Sequence, residues 1–171
     1  MPNQNRLLRI RLWLGIFIAG LILSGLTAFP LLTELRWLAS ALHGGAIEPL
    51  AQSTGLLAWI DRVNYALAAT NAQYPFLAYG TDWLAFAHLV IAVAFIGPFI
   101  DPVRNKWVVT FGLIACAGVI PLALIAGHLR GIPIAWRLID CSFGVVGSLP
   151  LIICRQSILA LQRATLCPRE D

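Results

Sequence analysis

Four stretches of the chain are nearly uninterrupted apolar runs: residues 12–29, closed by Pro30, then 83–100, 107–127 and 138–154, the last being the shortest. None alternates with period two, so they read as helices and not as barrel strands. A helix needs ~20 apolar residues to cross ~30 Å of hydrocarbon. Inside hydrocarbon only helices and closed barrels satisfy the backbone. The pattern therefore predicts an all-α, four-helix transmembrane bundle.

Residues 30–81 follow a different rhythm. Leu31, Leu35, Leu38 and Leu42 recur at helical spacing, with Glu34, Arg36 and Ser40 on other faces, until Gly44 and Gly45 stop the pattern. Leu56, Ile60, Val63 and Leu67 repeat it, with Asp61, Arg62 and Asn64 on other faces and Thr54 placed as a cap. These features predict two amphipathic helices that lie along the interface or cap the bundle. Tyr74, Pro75, Tyr79 and Gly80 form a turn-rich aromatic approach to the second span. No internal repeat divides the chain, so residues 1–171 read as a single integral membrane domain.

Composition strengthens this picture. Hydrophobic residues make up 59% and charged residues 12%, against ~25% charged in soluble domains. A water-soluble fold of this size could not bury so much apolar surface. An ordinary soluble globule, a disordered chain and a disulfide scaffold are excluded. The net charge is +4 and the isoelectric point about 9.2, but the basic residues sit at the ends of apolar runs and form no stripe. They read as membrane topology and not as a nucleic-acid surface.

With the N-terminus in the cytoplasm, the inside carries Arg6, Arg9, Arg11, Arg104, Lys106, Arg155, Arg163 and Arg169, and the outside only Arg36, Arg62, Arg130 and Arg137. The positive-inside rule therefore puts both termini in the cytoplasm. The first run reads as a retained anchor and not as a cleaved signal. Its apolar core exceeds the usual ~7–15 residues, and cleavage after Ala28 would leave Leu26 where a small residue is needed. Asp101 and Pro102 read as the cap and first-turn proline of the third helix. The pairs Gly20/Ser24, Gly112/Cys116 and Gly144/Ser148 mark faces where helices can approach closely. Pro98, Pro121 and Pro150 should bend or loosen their helices.

Chemistry is sparse. Cys116, Cys141, Cys154 and Cys167 have no C-x-x-C spacing and differ in depth, so they read as small buried hydrophobes. Six ionisable residues gather in the outer half of the membrane: Asp82, His88, His128, Arg130, Arg137 and Asp140. Such groups are costly in hydrocarbon and face protein or water. They form either an ion-pair and cap network, with Arg137 and Asp140 on one face at i and i+3, or a polar pocket. Asp140 is expected to pair with Arg137 or Arg130.

A b-type haem would need His88 and His128 as its ligands. Six residues separate His88 from Asp82, a depth of ~9 Å, whereas His128 ends the third helix at the opposite side of its span from Trp107. The two depths disagree, and no cofactor or metal is expected. His43 reads as a helix-end residue. Nucleophilic catalysis lacks support: Ser142 and Asp140 point apart on a helix, and residues 146–149 have no nucleophile elbow. No phosphate-binding glycine loop occurs.

The stretches DPVRNKW (101–107) and GIPIAWRLIDCSFG (131–144) resemble small bacterial polytopic membrane proteins to which no activity is attached. The resemblance implies a bacterial inner-membrane setting and carries over no functional residue. The resulting expectation is a non-enzymatic binding, transport-accessory or assembly protein. Its partners would be the lipid bilayer, other membrane proteins or a second copy of itself, and no nucleic acid. A haem- or copper-binding redox subunit is the first alternative, and a small membrane enzyme the second.

Overall fold

A computed structural model describes residues 2–166, so Cys167 and Arg169 lie outside it. Every regular element among the described residues is a helix: α1 (Pro2–Ala28), α2 (Leu31–Leu42), α3 (Glu48–Ser53), α4 (Leu56–Gln73), α5 (Tyr79–Ala94), α6 (Ile96–Ile100), α7 (Lys106–Pro121), α8 (Gly127–Leu129) and α9 (Ile134–Leu166). A 3₁₀ turn, Pro75–Ala78, leads into α5, and a π-helical turn, Leu122–Ala126, joins α7 to α8. Four helical stretches are long and apolar enough to cross a membrane: Gln4–Ala28, Pro75–Ile100, Lys106–Leu129 and Ile134–Ala164.

Prolines and glycines set the boundaries. Phe29 precedes Pro30 and leaves the helical region. The Pro30 carbonyl then accepts the N–H groups of Thr33 and Glu34 at 2.8 and 3.0 Å, which launches α2. Gly55 stands before α4 at φ 71°, a left-handed conformation that suits glycine. Thr54 does not cap α4 as expected. Its hydroxyl donates back to Leu50 and Ala51 at 2.9 and 3.3 Å and closes α3.

Pro98 has no N–H to offer the carbonyl of Ala94, and the second span breaks at Phe95, between α5 and α6. Pro121 acts likewise, and the π-helical turn follows it directly. Pro150, in contrast, is buried within a helix that continues past it. Asp101 is not the cap of α7. Its carboxylate accepts the Arg104 N–H at 3.1 Å within the connecting turn, and the helix begins only after Asn105. The Asn105 amide donates to the carbonyls of Gly97 and Asp101 at 3.1 and 2.9 Å, stapling that turn.

The fourth span departs most from expectation. Its apolar run covers 138–154, yet α9 has 33 residues and is the longest helix. Arg155, Gln156 and Arg163 end the apolar run but are good helix formers, so the helix outlasts its hydrophobic segment.

α1 and α9 form the centre, with α5 packed on α1 and α7 on α9. Ile10, Leu14, Phe95, Val109, Leu151, Cys154 and Ile158 make the buried core. These residues lie in the half of each helix nearer the chain termini, here called the proximal end. Phe95 meets Phe17 at 4.7 Å between ring centroids. It fills the hollow left by Gly112, where a Cβ would stand 2.6 Å from its ring.

Towards the distal end the helices meet in pairs. Gly25 brings α1 against the Ala85 carbonyl of α5, and Gly144 brings α9 against the Cys116 carbonyl of α7, with a Cβ at only 2.9 and 2.5 Å respectively. Gly20 has nothing within 4 Å, so Gly25, not Gly20, is the close-approach position of α1. The distal cap is a second cluster, in which Leu42, Ala51, Leu57 and Ile60 pack with Trp136 of α9. The Asn64 amide donates to the Leu35 carbonyl at 2.9 Å and ties α4 to α2.

Two predictions follow from this packing. Leu35→Asp and Ile60→Asp lower the thermal midpoint of detergent-purified protein more than Ser40→Asp, because burying such a side chain is worth about 1.5–3 kcal/mol. Equal tolerance at all three positions would contradict the burial of Leu35 and Ile60. Gly144→Val presses against backbone and costs about 1–3 kcal/mol, whereas Gly20→Ala, with open space around it, does not lower the midpoint.

Candidate functional site

Asp82 stands in the first turn of α5, where the positive end of the helix favours an acid. Tyr79, three residues before it, and Phe86, four after it, share its face, and Trp83 lies beside both. Phe29, just after α1, borders this patch, and together they line an open, almost wholly apolar recess of about 350 Å³. The rings meet edge to face, Tyr79 with Trp83 at 5.9 Å and Trp83 with Phe86 at 6.0 Å.

His88 lies nearly two turns further along α5, half-buried against α1. Its Nδ1 is 2.8 Å from the Leu84 carbonyl. A carbonyl only accepts, so Nδ1 donates and neutral His88 keeps its lone pair on Nε2.

The other four residues belong to the α7–α9 side. His128, on α8, and Arg130, directly after it, are exposed. Arg137 lays its stem across Gly127, where a Cβ would stand 2.6 Å from its Cδ. Its Nη1 donates to the Leu124 carbonyl at 3.3 Å, within the π-helical turn, and its buried Nε has no hydrogen-bond partner among the described residues. Asp140 is half-buried. Among the described residues no ion pair joins it to Arg137 or Arg130. The expected pair is replaced by a backbone contact: the turn after Pro121 presents a carbonyl, and Gly127 leaves room for the arginine stem. Spacing of i and i+3 permits a pair but does not impose one.

The cysteines behave as packing residues. Cys116, Cys141 and Cys154 are free thiols. The buried Cys154 thiol donates to the Ile10 carbonyl at 3.6 Å, linking α9 to α1. No group of three or more His, Cys, Asp and Glu side chains is placed to hold a metal ion among the described residues. His88 and His128 stand on different helix pairs.

One polar group escaped the sequence reading. His43 does end α2, but its Nε2 lies 3.1 and 3.2 Å from the two oxygens of Asp61 on α4. Its Nδ1 is 3.9 Å from Glu48 on α3, and Glu48 accepts the Gly44 N–H at 2.6 Å. His43 therefore links all three cap helices. No local pattern announces a contact spanning 18 residues. The aromatic face around Asp82 escaped it too, although Tyr79, Trp83 and Phe86 recur at helical spacing.

At the proximal end a second recess, about 310 Å³, lies between α1 and α9 and is lined by Arg6, Arg9, Gln156 and Ser157 among others. Arg6 donates to the Ala160 carbonyl across it at 3.2 Å.

By fold, the chain belongs with all-helical proteins whose four long apolar helices are consistent with a multi-pass membrane protein. It matches no protein-family model, no curated protein and no solved structure.

The Arg137 contact is testable by a double-mutant cycle. Gly127→Ala destabilises the wild-type protein more than it destabilises an Arg137→Ala background, where the obstructing stem is gone. Asp140→Asn and Arg137→Gln add within about 0.5 kcal/mol. A coupling of several kcal/mol would instead reveal a buried ion pair.

Proposed function

We propose that the protein is a non-enzymatic, multi-pass membrane protein of the binding or assembly type, with the distal end as its binding side. The observation that carries this reading is the asymmetry of its packing. The large, fully buried side chains of the four long helices (Ile10, Leu14, Phe95, Val109, Leu151, Cys154 and Ile158) all belong to the proximal core. Distally the helices meet in pairs, while large apolar side chains are exposed in both halves, Trp83, Leu122 and Phe143 distally and Leu12, Ile100 and Trp107 proximally. Exposed apolar surface of this extent suits lipid or a partner. Between the proximal core and the contact of Trp136 with the cap, no buried cluster joins the two pairs, which suits insertion of another membrane helix, from a different protein or a second copy.

In this reading the membrane is the bacterial inner membrane, both termini are cytoplasmic and the cap is extracytoplasmic. α2 and α4 are amphipathic elements at the outer interface. Asp82, His88, His128, Arg130, Arg137 and Asp140 then occupy the outer half of the membrane. Arg6 and Arg9, just beyond the apolar run of α1, meet the cytoplasmic head groups. The chain has no call on nucleic acid.

Reporters fused within residues 30–81 read extracytoplasmic and fusions after Arg163 read cytoplasmic. A photo-cross-linking residue at Phe143 or Leu122 gives a discrete protein adduct in membranes, whereas one at Ile16 or Trp107 gives lipid adducts. Lipid adducts at all four positions would refute the assembly reading. A haem absorption band in the purified protein would replace it with the redox alternative.

A further inference from the structure

The recess at the proximal end is lined mainly by polar side chains from two helices. On α1, Asn5 and Arg6 stand four and three residues before Arg9, so the three share one face. On α9, Gln156 stands in the facing wall beside Ser157, whose hydroxyl donates to the Ile153 carbonyl at 2.8 Å. Arg6 is half-buried and is held across the recess by the Ala160 carbonyl, to which its Nη1 donates at 3.2 Å. A guanidinium carries five N–H groups, so this bond fixes the fork and leaves most of its donors for another acceptor. Among the described residues no hydrogen bond engages Arg9 or the Gln156 amide, and no carboxylate pairs with Arg6 or Arg9.

Membrane topology asks that arginines end an apolar run, not that they converge. Arg11 turns to α6 instead, where its Nε donates to the Phe99 carbonyl at 3.4 Å. Arg104 and Arg155 are exposed at the same end and stand outside the recess. Asp101, the carboxylate of this end among the described residues, accepts the Arg104 N–H in the turn after α6. Two guanidinium groups without an acid suit an anion, and donors approaching from two helices suit a tetrahedral oxyanion with several acceptor oxygens better than a planar carboxylate. Exposed Leu12 and Ile16 continue the line of Arg9 along α1, and exposed Leu149 and Val146 continue that of Gln156 along α9. Acyl chains attached to such an oxyanion would have apolar side chains to lie against.

We propose that this recess binds a phosphate group, with Arg6 and Arg9 holding its oxygens from α1 and the Gln156 amide from α9. The phosphate is either the head group of an anionic phospholipid or a soluble phosphate ion, since both present the same oxyanion. The lipid source rests on the membrane placement proposed above. The oxyanion contact itself does not, so it is decided separately from the reporter fusions and the cross-linking experiment.

The test uses full-length protein in maltoside detergent with isotope-labelled arginine. The Nε–H resonances of Arg6 and Arg9 are assigned by their loss in Arg6→Gln and Arg9→Gln. Inorganic phosphate and a short-chain phosphatidylglycerol are titrated at constant ionic strength, because screening by salt would move every exposed arginine. At least one of the two shifts the Arg6 and Arg9 resonances saturably and leaves those of Arg104 and Arg155 in place. A short-chain diacylglycerol, which lacks the phosphate, shifts neither. Arg9→Gln, followed at Arg6, weakens binding about tenfold or more through the loss of a charge-assisted contact. Arg155→Gln makes the same charge change at the same end and leaves the affinity as it was. Gln156→Leu weakens binding as well and serves if Arg9→Gln fails to fold.

The two probes separate the sources. Saturation by phosphatidylglycerol, with inorganic phosphate ineffective at the same concentration, identifies the lipid head group. Saturation by inorganic phosphate at the same or lower concentration identifies a soluble phosphate. No saturable shift with either probe, an equal response to diacylglycerol, shifts at Arg6 and Arg9 no larger than at Arg104 and Arg155, or unchanged affinity in Arg9→Gln and Gln156→Leu would overturn the proposal.

Discussion

Phe95 is where the four long helices are held to one another. Its ring packs on Phe17 of α1, enters the hollow at Gly112 of α7 and joins the cluster that includes Leu151 of α9. Two local facts make this possible. Pro98 deprives the preceding turn of a donor, so the second span breaks at Phe95 and need not continue as one rigid rod. Gly112 has no Cβ, so α7 accepts a ring where any side chain would collide. The rest of the arrangement depends on this contact, because it lies at one end. Past it, α1 and α5 remain together through Gly25, α7 and α9 through Gly144, and α8 and α9 through Gly127. Beyond the core the helices thus run as two pairs until the cap, where Trp136 of α9 packs with Leu42, Leu57 and Ile60, and the recess at Asp82 belongs to the α1–α5 pair.

The polar side chains obey the same economy of backbone groups. A polar side chain without a partner in a low-dielectric setting is costly, and several of the rare polar residues meet that need by donating to a helix carbonyl. Arg137 takes the Leu124 carbonyl beside the turn that follows Pro121, His88 takes Leu84, Asn64 takes Leu35, and the Cys154 thiol takes Ile10. Asp82 differs because it is an acceptor with no donor among the described residues.

Much of the architecture was legible in the chain. Continuous apolar runs identify four long helices because no other unclosed structure satisfies a backbone in hydrocarbon, and the leucine rhythm of residues 31–42 and 56–67 foretells α2 and α4. Proline chemistry likewise anticipated the loosening at Phe95 and after Pro121. Errors arose where an inference used one residue's preference without its neighbours. Thr54 had a closer carbonyl behind it than an N–H ahead of it. Asp101 closed a turn before Asn105 could begin the helix. Gly20 was small but faced no helix. The apolar run of α9 ended long before its hydrogen bonding did.

Hydrophobic pattern, proline and glycine act within a turn or two of backbone, and so the sequence alone determined which segments are helical and roughly where they break. Pairing of groups from different helices is decided by how those helices lie together. His43 could meet Asp61 and Glu48 only once α2, α3 and α4 had folded on each other, and Arg137 could choose Leu124 over Asp140 only once Gly127 had opened a path beside it. The aromatic face of α5 was written in the spacing of Tyr79, Trp83 and Phe86. The open recess beside it came from the packing of α1, which brings Phe29 to its border, because a helix can present a face by itself but needs a second helix to flank it.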